Sequence, residues 1–180
     1  IDSYSQPDVP AVVNLRAING KLVTKLAQGD VSKLAVTGWK APTPVSVKAH
    51  DGKTDIYGLV FTPSKMDASK KYPVMVYVYG GSHAQLVNNR WLGGAGFFDI
   101  YMAQKGYVVF TLDNRGSDSR GKKFCEVTHR NLGVNEMADQ MKGIEFLKSK
   151  SFVDADKIGV FGWSYGGFMT TSLMTNHSDV

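Results

Sequence analysis

The residues most suited to chemistry are Gly162-Trp163-Ser164-Tyr165-Gly166. A serine set between two glycines at this spacing forms a turn too tight for Cβ atoms, and the turn lifts the hydroxyl clear of its surroundings. Such a hydroxyl is suited to attack on a carbonyl carbon and transfer of the acyl group. The flanks agree with that reading. The apolar run Ile158 to Phe161 precedes the motif as a strand, and Gly167 to Met174 continues behind it as a helix. A helix N-terminus brings backbone N–H groups and partial positive charge beside the serine, which favours a developing oxyanion. The competing reading is a glycine-rich turn that contains a serine by coincidence, and the strand and helix together weigh against it.

Acyl transfer needs a second oxyanion donor besides the backbone N–H of Tyr165. In hydrolases built on this elbow the donor comes from a loop after an earlier strand, where a His-Gly-Gly-Gly type sequence is common. Tyr79-Gly80-Gly81-Ser82-His83 occupies that place. The glycines keep the loop close to the nucleophile, and the tyrosine in the histidine position makes a phenol hydroxyl available as a donor. Alone, Tyr79 reads as a strand-end aromatic engaged in packing; the glycines and the elbow together make it a candidate. The base is not legible. The expected chain order is serine, acid, histidine, and only His177 follows Ser164. Thirteen helical residues span roughly 20 Å at about 1.5 Å per residue, whereas a base acts within about 3 Å of the hydroxyl. His177 and Asp179 are therefore expected at the surface, near the end of the helix. His50, His83 and His129 lie upstream with no acidic partner pattern. The triad acid and histidine are expected to be absent from this chain.

The elements that must position these groups follow from the apolar pattern. Val12 to Ile18 and Lys21 to Leu26 are β-prone runs around Asn19-Gly20, a pair that suits a two-residue turn with both φ angles positive. Val45 to His50 and Asp55 to Phe61 form a second pair around Asp51-Gly52-Lys53-Thr54, and Ser64 to Lys71 is a charged connector. Val74 to Tyr79, Tyr107 to Leu112 and Ile158 to Phe161 are short apolar runs without alternation, the pattern of strands covered on both faces. Between them, Met137, Met141, Ile144 and Leu147 fall on one helical stripe, with Asn135 as a candidate cap. Phe97, Ile100 and Tyr101 suggest a shorter helix. Strands that alternate with helices predict a parallel α/β sheet.

Composition bounds the rest. A chain of 180 residues, 43% hydrophobic and 21% charged, is globular. No apolar run approaches the roughly 18 residues of a membrane span. Ile1 opens no signal sequence, and the start without Met suggests a piece of a longer protein. The formal net charge of +5 is carried by basic residues scattered singly or in pairs such as Lys70-Lys71 and Lys122-Lys123. These read as solvated surface, so no nucleic-acid partner is expected. Cys125 is the one cysteine and has no partner for a disulfide or a metal. No cofactor or metal is expected. Asn176-His177-Ser178 matches a glycosylation acceptor, a pattern short enough to arise by chance.

Several motifs taken together carry a resemblance. Gly162 to Gly167, Tyr79-Gly80-Gly81, Asp113-Asn114-Arg115-Gly116-Ser117, and His129-Arg130-Asn131-Leu132-Gly133 followed by Glu136 and Asp139-Gln140 resemble the dipeptidyl peptidase IV branch of the prolyl oligopeptidase family. Within that branch the bacterial prolyl tripeptidyl aminopeptidase group is most similar. The resemblance implies an α/β-hydrolase fold, of which residues 41–180 would be the N-terminal half. Residues 1–40 would be the last strands of a β-propeller. It further implies a serine exopeptidase that acts on peptides with proline near the N-terminus and releases di- or tripeptides through an acyl-enzyme on Ser164. Tyr165 would give its backbone N–H, and Tyr79 its hydroxyl, to the oxyanion. Asp113, Arg115 and Asp139 are expected to be structural. The resemblance also suggests a homodimeric parent in the periplasm or at the cell surface. The strand that carries the elbow would lie at an unpaired sheet edge in residues 1–180, and this piece alone is expected to be inactive. Two other readings stay open: an α/β hydrolase of another kind (an oligopeptidase, acylaminoacyl peptidase or esterase) and a non-catalytic binding module of the same fold.

Overall fold

A computed structural model describes residues 1–94 and 96–177. Asp179, and Ser178 of the acceptor pattern, lie outside the described residues. Two sheets are present. The first contains β1 (Asp2–Gln6), β2 (Val9–Arg16) and β3 (Leu22–Gln28) in antiparallel order β1-β2-β3. The β2–β3 turn differs from expectation. Ala17 N–H donates to the Lys21 carbonyl and Gly20 N–H to the Ala17 carbonyl, both at 2.9 Å. Within the turn, Gly20 (φ 83°) has a positive φ and Asn19 does not. The loop is thus a three-residue hairpin that places only its glycine in the left-handed region. β1 escapes sequence reading because Asp-Ser-Tyr-Ser-Gln is polar, and its strand conformation comes from pairing Asp2 to Asn14 through Tyr4 to Val12.

The second sheet is mixed. After a short helix α1 (Ser32–Ala35), its strands are β4 (Thr43–Lys48), β5 (Asp55–Phe61), β6 (Tyr72–Tyr77), β7 (Val108–Asp113) and β8 (Val153–Phe161). The spatial order is β4-β5-β7-β6-β8. β4–β5 and β5–β7 are antiparallel, and only β7, β6 and β8 form the parallel portion. The expected parallel sheet is therefore confined to the strands joined by helical crossovers. A hairpin needs an antiparallel partner, and β4–β5 supplies one.

Three longer helices complete the layers: α2 (Phe97–Gln104), α4 (Asn135–Lys148) and α5 (Tyr165–Asn176), with the single turn α3 (Lys122–Cys125) before α4. Alternate residues of the central strands feed two cores. Val74, Val76, Val78, Val108, Phe110 and Leu112 face Met137, Ile144 and Leu147 of α4 and Met169 and Leu173 of α5. Val109 and Met75 point the other way, toward Ile100 and Ala103 of α2. All six residues of β7 are buried. Val108 to Leu112 are so as the apolar run from Tyr107 to Leu112 predicted, while Tyr107 stays outside the strand and Asp113 joins it. The stripe on α4 is as expected, but its cap is not. Val134 occupies the cap position without a side-chain hydrogen bond. Asn135 Nδ2 instead donates to the Val127 carbonyl at 3.0 Å, and Glu136 Oε1 accepts the Gly133 N–H at 3.1 Å.

Chain order and spatial order together locate the site. From β6 the chain crosses to β7 on one side, and then returns past β6 to β8 on the other. Such a reversal opens a crevice beyond the carboxyl ends of the parallel strands, where ligands bind in open α/β sheets. The Tyr79 loop follows β6, Asp113 ends β7, and Ser164 follows β8.

Candidate active site

Ser164 joins β8 to α5 with φ 54° and ψ −122°, a backbone geometry that costs energy for a residue with a Cβ and is held by its surroundings. The flanking glycines are what allow it. A Cβ on Gly162 or on Gly166 would strike the Val78 carbonyl oxygen, and one on Gly166 would also lie 3.2 Å from Tyr79 Cα. The elbow is thus pressed against the end of β6, and Ser164 itself is exposed.

At the start of α5 the backbone donors divide cleanly. Gly166 N–H is taken by the Trp163 carbonyl at 2.8 Å, and Gly167 and Phe168 N–H by the Ser164 carbonyl at 2.9 and 3.2 Å. Among the described residues, no acceptor takes the Tyr165 N–H. This donor adjoins the serine at the positive end of a 12-residue helix, where a developing negative charge is favoured.

The Tyr165 side chain fills the space between the elbow and the Tyr79 loop. A Cβ on Gly81 would lie 2.7 Å from Tyr165 Cγ, so only glycine fits there. The Tyr165 ring is 6.3 Å from that of Tyr79 and meets Phe168 edge-on at 5.4 Å. Its hydroxyl donates to Glu136 Oε1 at 2.5 Å. Burial, and then the Glu136 carboxylate, push the phenol well above its ordinary range, so it stays a donor. Tyr79 is half-buried on the loop that touches the elbow.

A buried polar network holds that loop in place. Asn114, fully buried, donates through Nδ2 to the carbonyls of Gly80 (3.0 Å) and Arg115 (2.7 Å). Its Oδ1 accepts from Gln140 Nε2 at 2.8 Å, which also donates to the Leu112 carbonyl at 3.0 Å. Asp113 accepts the N–H groups of Leu86 and Val87, both at 2.9 Å, and so ties down the next stretch of the loop. Burial outweighs these bonds and raises its carboxyl to about 6. Asp139, fully buried, takes Arg115 through Nε (2.9 Å) and a second guanidinium nitrogen (2.8 Å), and takes His50 N–H at 2.9 Å. Asp51 completes the bridge to Arg115 at 3.1 Å. The Asp139 bonds come first in raising Arg115 further above its ordinary value. These contacts give Asp113, Arg115 and Asp139 scaffold positions. Sequence reading passed over Asn114 and Gln140 as chemistry; the residue after a strand-end Asp and a lone Gln on a helical stripe were the available signals.

No histidine hydrogen-bonds Ser164 among the described residues. His50, His83 and His129 are exposed, and His177 ends α5, about 18 Å of helix from its start at about 1.5 Å per residue. The Ser164 hydroxyl makes no hydrogen bond among the described residues, which also contain no cluster of metal-ligating side chains. A cavity of about 390 Å³ flanks the elbow, lined by Tyr77, Phe98, Phe161 and Trp163 with Asp99 in its wall. Burial raises Asp99 to about 6 against the Gly96 N–H that it accepts. A larger cavity, about 850 Å³, runs along β6 and β8 and shares no residue with the elbow, so size does not mark the site here. No helix is long and apolar enough to cross a membrane among the described residues.

The chain is similar to known proteins along the whole of this architecture. Residues 98–180 match the Prolyl oligopeptidase family. Human dipeptidyl peptidase 8 is 38% identical over 141 residues, 77% of this chain and 16% of that protein. The crystal structure of a Bacteroides ovatus protein assigned as a dipeptidyl aminopeptidase IV superposes with a TM-score of 0.91 at 46% identity, over 100% of this chain and 26% of that one. Porphyromonas gingivalis dipeptidyl peptidase 4 superposes at 0.83 and 30% identity, over 96% and 24%. The chain thus spans about a quarter or less of these proteins. An elbow serine after β8 and a glycine loop after β6, in a chain that follows solved dipeptidyl peptidases from end to end, give its place: the chain belongs to the prolyl oligopeptidase family, in the dipeptidyl peptidase IV branch.

Proposed function

We propose that the protein containing this chain is a serine dipeptidyl aminopeptidase. The observation that carries this reading is Ser164, exposed at φ 54° on a strand-to-helix turn with the unclaimed Tyr165 N–H beside it. In this reading the Ser164 hydroxyl oxygen attacks the carbonyl carbon of the scissile peptide bond. The tetrahedral oxyanion is held by the Tyr165 N–H and the Tyr79 hydroxyl. Collapse breaks the C–N bond, releases the amine portion of the peptide, and leaves the N-terminal segment as an ester on Ser164; water then hydrolyses that ester. The proton leaves the serine to a histidine oriented by an acid, and neither belongs to residues 1–180. Cleavage after proline, with release of a di- or tripeptide, is the specificity proposed. Residues 1–40 are proposed as the end of a β-propeller, residues 41–180 as the first half of the hydrolase domain, and the parent as a homodimer. The test uses the full-length protein. A fluorophosphonate should label it at Ser164 and not label Ser164→Ala, and Xaa-Pro and Xaa-Xaa-Pro amides should then be hydrolysed in preference to simple esters. An unlabelled wild-type protein would support the binding module instead.

A further inference from the structure

Glu136 is fully buried, an unusual place for a carboxyl group unless its partners hold it there. Its Oε1 accepts both the Gly133 N–H and the Tyr165 hydroxyl, while Oε2 has no partner among the described residues. The first contact closes the N-terminal turn of α4 and needs no second element. The second crosses from α4 to α5 and reaches the residue directly after the serine. Tyr165 is in turn the spacer between the two halves of the site, since its ring leaves no room for a Cβ on Gly81 and lies 6.3 Å from the Tyr79 ring.

We infer that Glu136 is a positioning residue for the oxyanion site, acting through the Tyr165 phenol. A tyrosine ring tethered at its hydroxyl cannot swing about χ1, so the Tyr165 backbone and the Gly81 loop are held at one separation. The two proposed oxyanion donors, Tyr165 N–H and Tyr79 hydroxyl, then keep one spacing. This inference rests on the proposed catalytic role of Ser164. Helix capping by Glu136 is a separate duty, and Tyr165→Phe leaves it untouched while cutting the tether.

The experiment compares the full-length wild-type protein with Tyr165→Phe, Glu136→Gln, Glu136→Ala and the double variant Tyr165→Phe/Glu136→Gln. Fluorophosphonate labelling rates, kcat and KM on an Xaa-Pro amide, and melting temperature are measured for each. A loosened donor geometry of the order of 1 Å costs up to about 100-fold in rate. Tyr165→Phe is therefore expected to lower kcat by about 10- to 100-fold with KM changed less than about threefold. Glu136→Gln, which keeps an acceptor oxygen, should lose less than Glu136→Ala, and the double variant should be no slower than Tyr165→Phe alone. Wild-type kcat in Tyr165→Phe, or losses that multiply in the double variant, overturns the tether while leaving the nucleophile in place. Wild-type protein that fails to label removes the Ser164 reading and the tether with it. If Glu136→Ala does not fold, Tyr165→Phe and the double variant still decide the matter.

Discussion

Asn114→Ala tests the network that holds the Tyr79 loop. The wild-type side chain makes three hydrogen bonds of 2.7 to 3.0 Å with no exposed surface. Alanine removes both donors and the acceptor. It leaves the buried Gly80 carbonyl and one N–H of Gln140 without their partners, while Gln140 keeps its bond to Leu112. Each buried polar group so stranded costs about 1–3 kcal/mol, so the variant should lose about 2–6 kcal/mol of stability. That is a large part of the roughly 5–15 kcal/mol typical of folded domains. Urea melts of wild type and variant should show the midpoint lowered with the slope unchanged. A second effect is local. The Gly80 carbonyl would be free to turn, and the adjoining Tyr79 would lose its fixed position, so kcat should fall more than KM rises under conditions where both proteins are folded. Asn114→Asp separates hydrogen bonding from packing, because it has nearly the same volume but no amide donors for the two carbonyls. It should be at least as damaging as alanine near neutral pH. If Asn114→Asp melts with wild type, or if Asn114→Ala loses under about 1 kcal/mol, the network is not what holds the loop.

Three further expectations follow from the same geometry. Tyr79→Phe in the full-length protein should reduce kcat by about 10²- to 10³-fold with little change in KM, the usual effect of removing one oxyanion donor, and an unchanged single-turnover rate would take Tyr79 out of that role. Asp113, raised from 3.8 to about 6 by burial, favours folding most when protonated. Its contribution is complete below about pH 4 and is lost as pH rises through about 6, a change of about 3 kcal/mol for a shift of about two units. Asp113→Asn should therefore gain stability relative to wild type between about pH 4 and about pH 7, and parallel urea-melt stabilities across that range would contradict the assignment. Residues 1–180 expressed alone should show no turnover of proline amides, since no histidine of this piece bonds Ser164, and measurable turnover abolished by Ser164→Ala would overturn the account of the triad.

The sequence by itself determined the elements whose patterns are local. The run Val108 to Leu112 announces a strand buried on both faces, because every side chain there is apolar or small enough to pack. Ser164 was legible because its turn requires glycine on either side, and that requirement is written in the chain. The polar strand β1 was not legible, since cross-strand pairing rather than composition makes it a strand; nor was the start of β8, where Asp154-Ala155-Asp156-Lys157 lie in a register shift between the pairs Tyr72–Val153 and Val74–Ile158. Asn135 reads as a cap in sequence but turns to the Val127 carbonyl, a partner supplied by tertiary packing. Only the folded chain could decide what surrounds Ser164. The reversal of strand order brings the loops after β6, β7 and β8 to one edge. There Asn114, Gln140 and Glu136, ordinary polar residues in sequence, become buried and acquire partners 26 to 34 positions away. Local pattern specifies a serine in its turn; long-range contacts specify the spacing of the groups around it.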